Sequence, residues 1–195
     1  MRPLQRLTVI VPVFNEAAGL PAFWARISAV LDTLADTVTG DLLFIDDGSR
    51  DDSLAVIQAL AMRDARVGYL ALSRNFGKEI AMSAGLDFAD GDWVVLIDAD
   101  LQDPPELIPT LLAKAREGFD TVYARRAARL REGLTKRATA SVFYRLMGRL
   151  SRRVEIPADT GDYRVISRRA VLALRQIKER IKRAAHEKGV EISAD

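Results

Sequence analysis

The feature that most constrains this chain is a set of short apolar runs with almost no polar alternation. Residues 7–13 read Leu-Thr-Val-Ile-Val-Pro-Val, 41–46 read Asp-Leu-Leu-Phe-Ile-Asp, and 92–98 read Asp-Trp-Val-Val-Leu-Ile-Asp. Runs this short, apolar on both sides, fit strands covered on both faces, as in a parallel sheet between helices. Residues 67–73 and 119–124 give two more strands. The segments between them carry helical spacing. In 17–36, Leu20, Phe23, Trp24, Ile27, Val30, Leu31 and Leu34 share one face. Residues 51–63, 77–89 and 104–117 also read as helices, with Asp51 or a neighbour placed to cap the first. Pro104 and Pro105 open the last, where first-turn amides have no partner to lose. Strand and helix alternate four times, so the fold class is α/β, a mostly parallel sheet with helices on both faces. Right-handed crossovers place the C-terminal ends of the strands along one edge, and open α/β sheets bind ligands there.

Beyond residue 125 the pattern changes. Residues 126–140 are basic and poorly periodic, 139–151 read as an amphipathic helix, 161–167 as a short strand, and 168–188 as a long basic helix stopped by Gly189. Charge follows the same division. Residues 1–124 carry 10 basic and 19 acidic side chains, and residues 125–183 carry 18 and 5. An acidic part followed by a basic part predicts separate jobs, the second meeting phosphates or an anionic surface. With 195 residues, no repeat and no clear linker, one domain is the expected count.

Several chemistries are excluded. There is no cysteine and one histidine, His186, so thiolate sites, cysteine nucleophiles and histidine-cluster metal sites do not arise. There is no G-x-x-x-x-G-K-[ST] and no G-x-G-x-x-G. No apolar run approaches eighteen residues, and the N-terminus shows no leader, so a cytoplasmic chain without a spanning segment is expected.

The polar exceptions fall at strand ends: Asn15-Glu16, Asp46-Asp47-Gly48-Ser49, and Asp98-Ala99-Asp100-Leu101-Gln102-Asp103. Three acidic clusters on one edge repel one another unless a cation or hydrogen-bond donors stand between them. Asp98 and Asp100, one residue apart, can reach a divalent cation, with Gln102 adding an oxygen. Hard oxygen ligands suit Mg²⁺ or Mn²⁺. The competing reading is a solvated turn ahead of a Pro-capped helix. Asp46 can accept from a base ring N–H or from ribose hydroxyls, or simply belong to a turn and helix cap. Asn15-Glu16 can equally be a helix start.

These segments, with their order and spacing, carry a family resemblance. The text is Val9-Ile10-Val11-Pro12-Val13-Phe14-Asn15-Glu16, Phe44-Ile45-Asp46-Asp47-Gly48-Ser49-Arg50-Asp51, Ser73-Arg74-Asn75-Phe76-Gly77-Lys78-Glu79, Asp98-Ala99-Asp100-Leu101-Gln102-Asp103-Pro104-Pro105-Glu106 and Thr160-Gly161-Asp162-Tyr163-Arg164. It resembles the family 2 glycosyltransferases of the Rossmann-like GT-A fold over roughly residues 7–175. Within them it is similar to the branch of dolichol-phosphate mannose synthases and bacterial undecaprenyl-phosphate enzymes.

The resemblance implies an inverting, metal-dependent transferase moving a sugar from a UDP- or GDP-sugar to a polyprenyl phosphate. By the same resemblance, Pro12, Asn15, Glu16, Asp46, Asp47, Asn75, Lys78, Asp98 and Arg125 belong to the nucleotide-sugar site, with Asp46 on the base. Asp98, Asp100 and Gln102 match the metal segment, and Asp100 and Gln102 are foremost as direct ligands. Lys136, Arg137 and Arg164 fall on the acceptor-phosphate side. Asp100, Asp162 and Arg164 are the implied catalytic set. An ionised phosphate acceptor needs no strong base, whereas a polysaccharide hydroxyl would, and Asp162 is the candidate there.

The division expected is a donor half over 1–124, an acceptor half over 125–175 and a tail over 176–195. Relatives in this branch continue into a further acceptor loop and often two transmembrane helices. The stretch from Gln176 to Asp195 does not follow their text and reads as a charged amphipathic helix. Peripheral contact with anionic lipid through 139–151 is expected, and nucleic acid is not. The remaining alternative is an inactive module that binds nucleotides or polyanions.

Overall fold

The computed structural model describes residues 4–125 and 160–187. The described strands are β1 (Gln5–Val13), β2 (Val38–Asp46), β3 (Val67–Ala71), β4 (Trp93–Leu96), β5 (Thr121–Arg125) and β6 (Thr160–Ser167). The helices are α1 (Leu20–Leu34), α2 (Ser53–Arg63), α3 (Lys78–Phe88), α4 (Ile108–Ala115) and α5 (Arg168–Glu187). The expected helix at 139–151 lies outside the described residues.

The strands form one sheet in the order β3-β2-β1-β4-β6-β5. β1 pairs in parallel with β2 and β4, and β2 with β3. β6 is antiparallel to both β4 and β5, so it alone runs against the other five. The sheet is mostly parallel, as the apolar runs require. Not every strand ends at the same edge, however: β6 brings its N-terminal residues to the edge where the others finish.

Side chains leave the sheet alternately, which splits the core into two layers. In β1, Leu7, Val9, Val11 and Val13 go to one layer with Phe23, Ile27, Ile57, Ile108 and Leu112. Ile10 goes to the other, with Ile45, Ala81, Val94, Ile166 and Val171. Helices α1, α2 and α4 therefore cover one face, and α3 and α5 the other. Phe23 and Phe44 pack edge to face at 6.3 Å. Full burial of side chains this size stabilises by about 1.5–3 kcal/mol each.

Element ends shift where local bonds compete. The helix expected from residue 17 starts at Leu20, because the Glu16 carbonyl accepts the amides of Gly19 (2.9 Å) and Leu20 (3.2 Å) in a turn. Asp51 accepts the Ser53 amide at 3.0 Å at the start of α2, and the Ala17 amide at 3.1 Å. Pro105–Leu107 form a single 3₁₀ turn that leads into α4. Among the described residues no helix is long and apolar enough to cross a membrane.

Candidate nucleotide-sugar site

A cleft of about 280 Å³ opens where β1, β2 and β4 end, lined by Pro12, Val13, Phe14, Glu16, Asp47, Asn75, Lys78, Asp98, Ala99 and Asp100. Seven of the expected site residues meet there: Pro12, Glu16, Asp47, Asn75, Lys78, Asp98 and Asp100. The register explains the convergence. Val13 pairs with Asp46, and Ile10 with Leu96, so the turns after β1, β2 and β4 start at neighbouring positions.

Asp46 and Asp47 are both about 2% exposed, but their bonds differ. Asp47 accepts the amides of Phe76 (2.8 Å) and Gly77 (2.9 Å), so its carboxylate clamps the loop before α3. Although it lines the cleft, that pair of bonds gives it an anchoring role the sequence does not signal. Asp46 does not line the cleft. One of its oxygens accepts the Ser49 amide at 3.3 Å, and the other, Oδ1, is buried and has no hydrogen-bond partner among the described residues. A buried acceptor left open is costly unless a ligand or water donates to it.

Gly48, at φ +66°, fixes how closely these two loops approach. A Cβ there would lie 2.4 Å from the carbonyl carbon of Arg74. Arg74 stacks its guanidinium 4.3 Å from the Phe76 ring centre. Asn15 also departs from expectation. Its side-chain oxygen accepts the Arg50 amide at 2.8 Å, and its own amide donates to Ser49 Oγ at 3.0 Å. It ties the turn after β1 to the turn after β2 and stays out of the cleft lining.

The opposite wall is built from ion pairs. Lys78 Nζ lies 2.6 Å from Asp98 Oδ2 and 2.8 Å from Asp162 Oδ2. Arg164 Nη2 meets the other Asp162 oxygen at 3.3 Å. Asp162 reaches this edge because β6 runs backwards: Arg164 pairs with Leu96, and Asp162 stands two residues beyond it. Burial opposes the charge on Lys78, but hydrogen bonds to Asp162 and Asp98 outweigh it and raise the ammonium pKa. The hydrogen bond from Lys78, helped by Arg164, holds Asp162 below the ordinary carboxylate value.

Asp100 is exposed, and its Oδ1 accepts the Gln102 amide at 3.0 Å in a turn where Leu101 adopts φ +59°. Gln102 is exposed and does not line the cleft. The Tyr163 hydroxyl donates to the Pro104 carbonyl at 3.1 Å, fastening β6 to the segment after Asp103. Arg125 ends β5, and Lys136 and Arg137 lie outside the described residues.

The cleft can bind a polar ligand among the side chains of Glu16, Asn75, Lys78, Asp98 and Asp100. Comparison with known proteins is decisive for the family. The model of Glycosyl transferase family 2 matches residues 8–175. The chain belongs to glycosyl transferase family 2. It is 42% identical over 175 residues to a bactoprenol glucosyl transferase of Shigella phage SfV, covering 90% of this chain and 56% of that protein. The chain spans about half the length of the curated relatives it matches. Among solved structures, mannosyl-3-phosphoglycerate synthase from Rubrobacter xylanophilus aligns with a TM-score of 0.64 at 22% identity, over 84% of this chain and 53% of that one. Glucosyl-3-phosphoglycerate synthase from Mycobacterium tuberculosis, solved with Mn²⁺, UDP-glucose and phosphoglyceric acid, aligns at 0.60 and 24%, over 85% and 57%. The six-stranded α/β sheet of this family 2 member is the GT-A fold of those neighbours.

The donor set of this family 2 cleft fits a divalent cation that takes most of its ligands from elsewhere. Among the described residues no group of three or more His, Cys, Asp or Glu could hold a metal alone. Asp98 and Asp100 supply two carboxylates, which suits Mg²⁺ or Mn²⁺ completing its shell with ligand phosphates.

Proposed function

We propose that this chain is the donor-binding part of a transferase that moves a sugar from a nucleoside-diphosphate sugar to a polyprenyl phosphate. The observation that carries the reading is the cleft between the Asp46-Asp47 turn and Asp98-Ala99-Asp100. In this reading the unpartnered Asp46 oxygen, buried outside the cleft lining as the structure stands, is uncovered to receive a ring N–H of the base, and Pro12 and Glu16 flank the nucleoside. Asn75 and Lys78 face the diphosphate. Asp98 and Asp100 hold Mg²⁺ or Mn²⁺, with Gln102 able to join them after its turn adjusts. The bound metal would supply charge neutralisation for the leaving diphosphate.

The acceptor phosphate oxygen attacks the anomeric carbon as the bond to the nucleoside diphosphate breaks, and that bonding pair leaves with the diphosphate. One displacement inverts the anomeric centre. The attacking phosphate is already ionised, so no proton needs to be removed. This agrees with Asp162, which is bound by two cations and held at a low pKa. A base for a hydroxyl acceptor works best with a pKa near the operating pH. Arg164, Lys136 and Arg137 are the acceptor-side cations of this reading, and Arg125 belongs to the donor site. The name of the phage relative, a bactoprenol glucosyl transferase, supports a polyprenyl acceptor. We read the chain as one unit, donor half 1–124, acceptor half 125–175 and tail 176–195, lying peripherally at the cytoplasmic face of a membrane.

Calorimetric titration with UDP and GDP, in Mn²⁺ and then in EDTA, tests the donor site on wild type and Asp100→Ala. Metal-dependent binding of one nucleotide, lost in the variant, is the expected result. A folded chain that binds neither nucleotide overturns the reading.

A further inference from the structure

Among the described residues lining the cleft, Lys78 is the one cation, and it shares that lining with Glu16, Asp47, Asp98 and Asp100. Its ammonium bridges Asp98 and Asp162, at 2.6 and 2.8 Å, across the gap between the turn after β4 and the start of β6. Asp98 is thus already neutralised by a side chain from a third element, the first residue of α3. Any divalent cation shared by Asp98 and Asp100 must contend with that ammonium. Like charges this close oppose one another strongly in a partly buried setting. Lysine suits an exchange of partners, being a point charge on a flexible stem with three rotatable donors.

We propose that Lys78 is the resident counter-ion of the metal-free site, keeping metal binding weak until a nucleoside diphosphate arrives to take the ammonium in exchange for Asp98. The proposal rests on the donor-site reading above and adds an order to it. Metal and nucleotide strengthen each other because each relieves the cost of the other: the metal replaces Lys78 on Asp98, and the diphosphate receives the displaced charge. Such coupling is reciprocal, so it can be read from either ligand. Lys78 is then a switchable partner within the donor site as well as a phosphate contact.

The test is Mn²⁺ binding followed by the electron paramagnetic resonance signal of free Mn²⁺, with and without UDP or GDP. It compares wild type, Lys78→Met and Lys78→Arg. With no nucleotide, Lys78→Met should bind Mn²⁺ about two- to fivefold more tightly than wild type, the scale of one lost half-exposed ion pair. Nucleotide should strengthen Mn²⁺ binding less in this variant than in wild type. Lys78→Arg, which keeps the positive charge, should bind Mn²⁺ alone as weakly as wild type. Equal or weaker binding of Mn²⁺ alone by Lys78→Met overturns the proposal. A second measurement needs no variant: acetylation of Lys78 in the wild-type chain, followed by peptide mass spectrometry. Saturating Mn²⁺ should speed it and added nucleotide should slow it again, whereas a rate indifferent to Mn²⁺ counts against the exchange. A wild type that binds Mn²⁺ but no nucleotide overturns the donor reading, while the metal-only arm still decides the role of Lys78.

Discussion

The two walls of the cleft are held by different physics. On the side of β2, buried Asp47 accepts two backbone amides, Asn15 bonds the turn beyond β2, and Gly48 lets two loops touch. On the side of β4, half-exposed Lys78, Asp98 and Asp162 are joined by ion pairs. Bonds to buried main chain are short-range and hard to exchange. Ion pairs near solvent are weak on balance and readily swap partners. The first wall is thus suited to keeping one shape, and the second to trading one charged partner for another.

The largest expected effect lies on the rigid wall. Gly48→Ala would need φ +66° and would drive a methyl group into the Arg74 backbone at 2.4 Å. It should cost about 3–4 kcal/mol, combining left-handed strain with a clash that no rotamer relieves. Asp47→Ala follows, at about 2–3 kcal/mol, because two amides lose a charged acceptor. Both are read by urea denaturation. If either variant proves as stable as wild type, the β2 wall is not the fixed one.

The exchangeable wall should barely register in the same assay. Asp98→Ala should change stability by less than about 1 kcal/mol, as for other partly exposed pairs. It should nonetheless abolish metal-dependent nucleotide binding. A stability loss matching that of Asp47→Ala would erase the distinction between the walls.

How far the sequence announces this division can be argued residue by residue. The strands were legible because β1 and β2 are buried on both faces, and continuous apolar text leaves few other options. The acidic strand ends were legible because a carboxylate in an apolar run stands out. The direction of β6 was not. Tyr163, Val165 and Ile166 demand burial whichever way the strand runs, and its slot between β4 and β5 depends on partners distant in sequence. The Lys78 bridge was hidden for a related reason: it spans 20 residues to Asp98 and 84 to Asp162, and the Asp162 arm is short only because β6 is reversed. Asp47 was readable as a site carboxylate but not as a clamp, since amide acceptors leave no local signature. Asn15 and Gln102 sit inside matching motifs, yet the turns at +57° and +59° carry Asn15 and Leu101 through left-handed backbone, and the Asn15 side chain accepts the Arg50 amide instead of facing the cleft.

The smallest expected effect is also the sharpest probe of the exchangeable wall. The pKa of Asp162 is depressed in the folded chain, chiefly by the Lys78 hydrogen bond and then by the charges of Lys78 and Arg164 against the opposing effect of burial. Its contribution is therefore complete above its unfolded value of about 3.9 and fades as pH falls through the lower folded value. Lys78 is raised, so its contribution is complete below about 10.4 and fades as pH rises through the higher folded value. The bridge should stay whole from about pH 5 to pH 9. Solvent reaches about 41% of the Asp162 side chain, so screening keeps the stability change small. The carboxyl carbon resonance reports the site directly. In wild type Asp162 should titrate below about 3.9, and in Lys78→Met its midpoint should climb, with Arg164 alone left to hold it. Salt at 1 M should narrow the gap between the two proteins, because it shortens the range of these charges to about 3 Å. An unchanged midpoint in Lys78→Met would mean that Arg164, not the bridging ammonium, sets the charge on this wall.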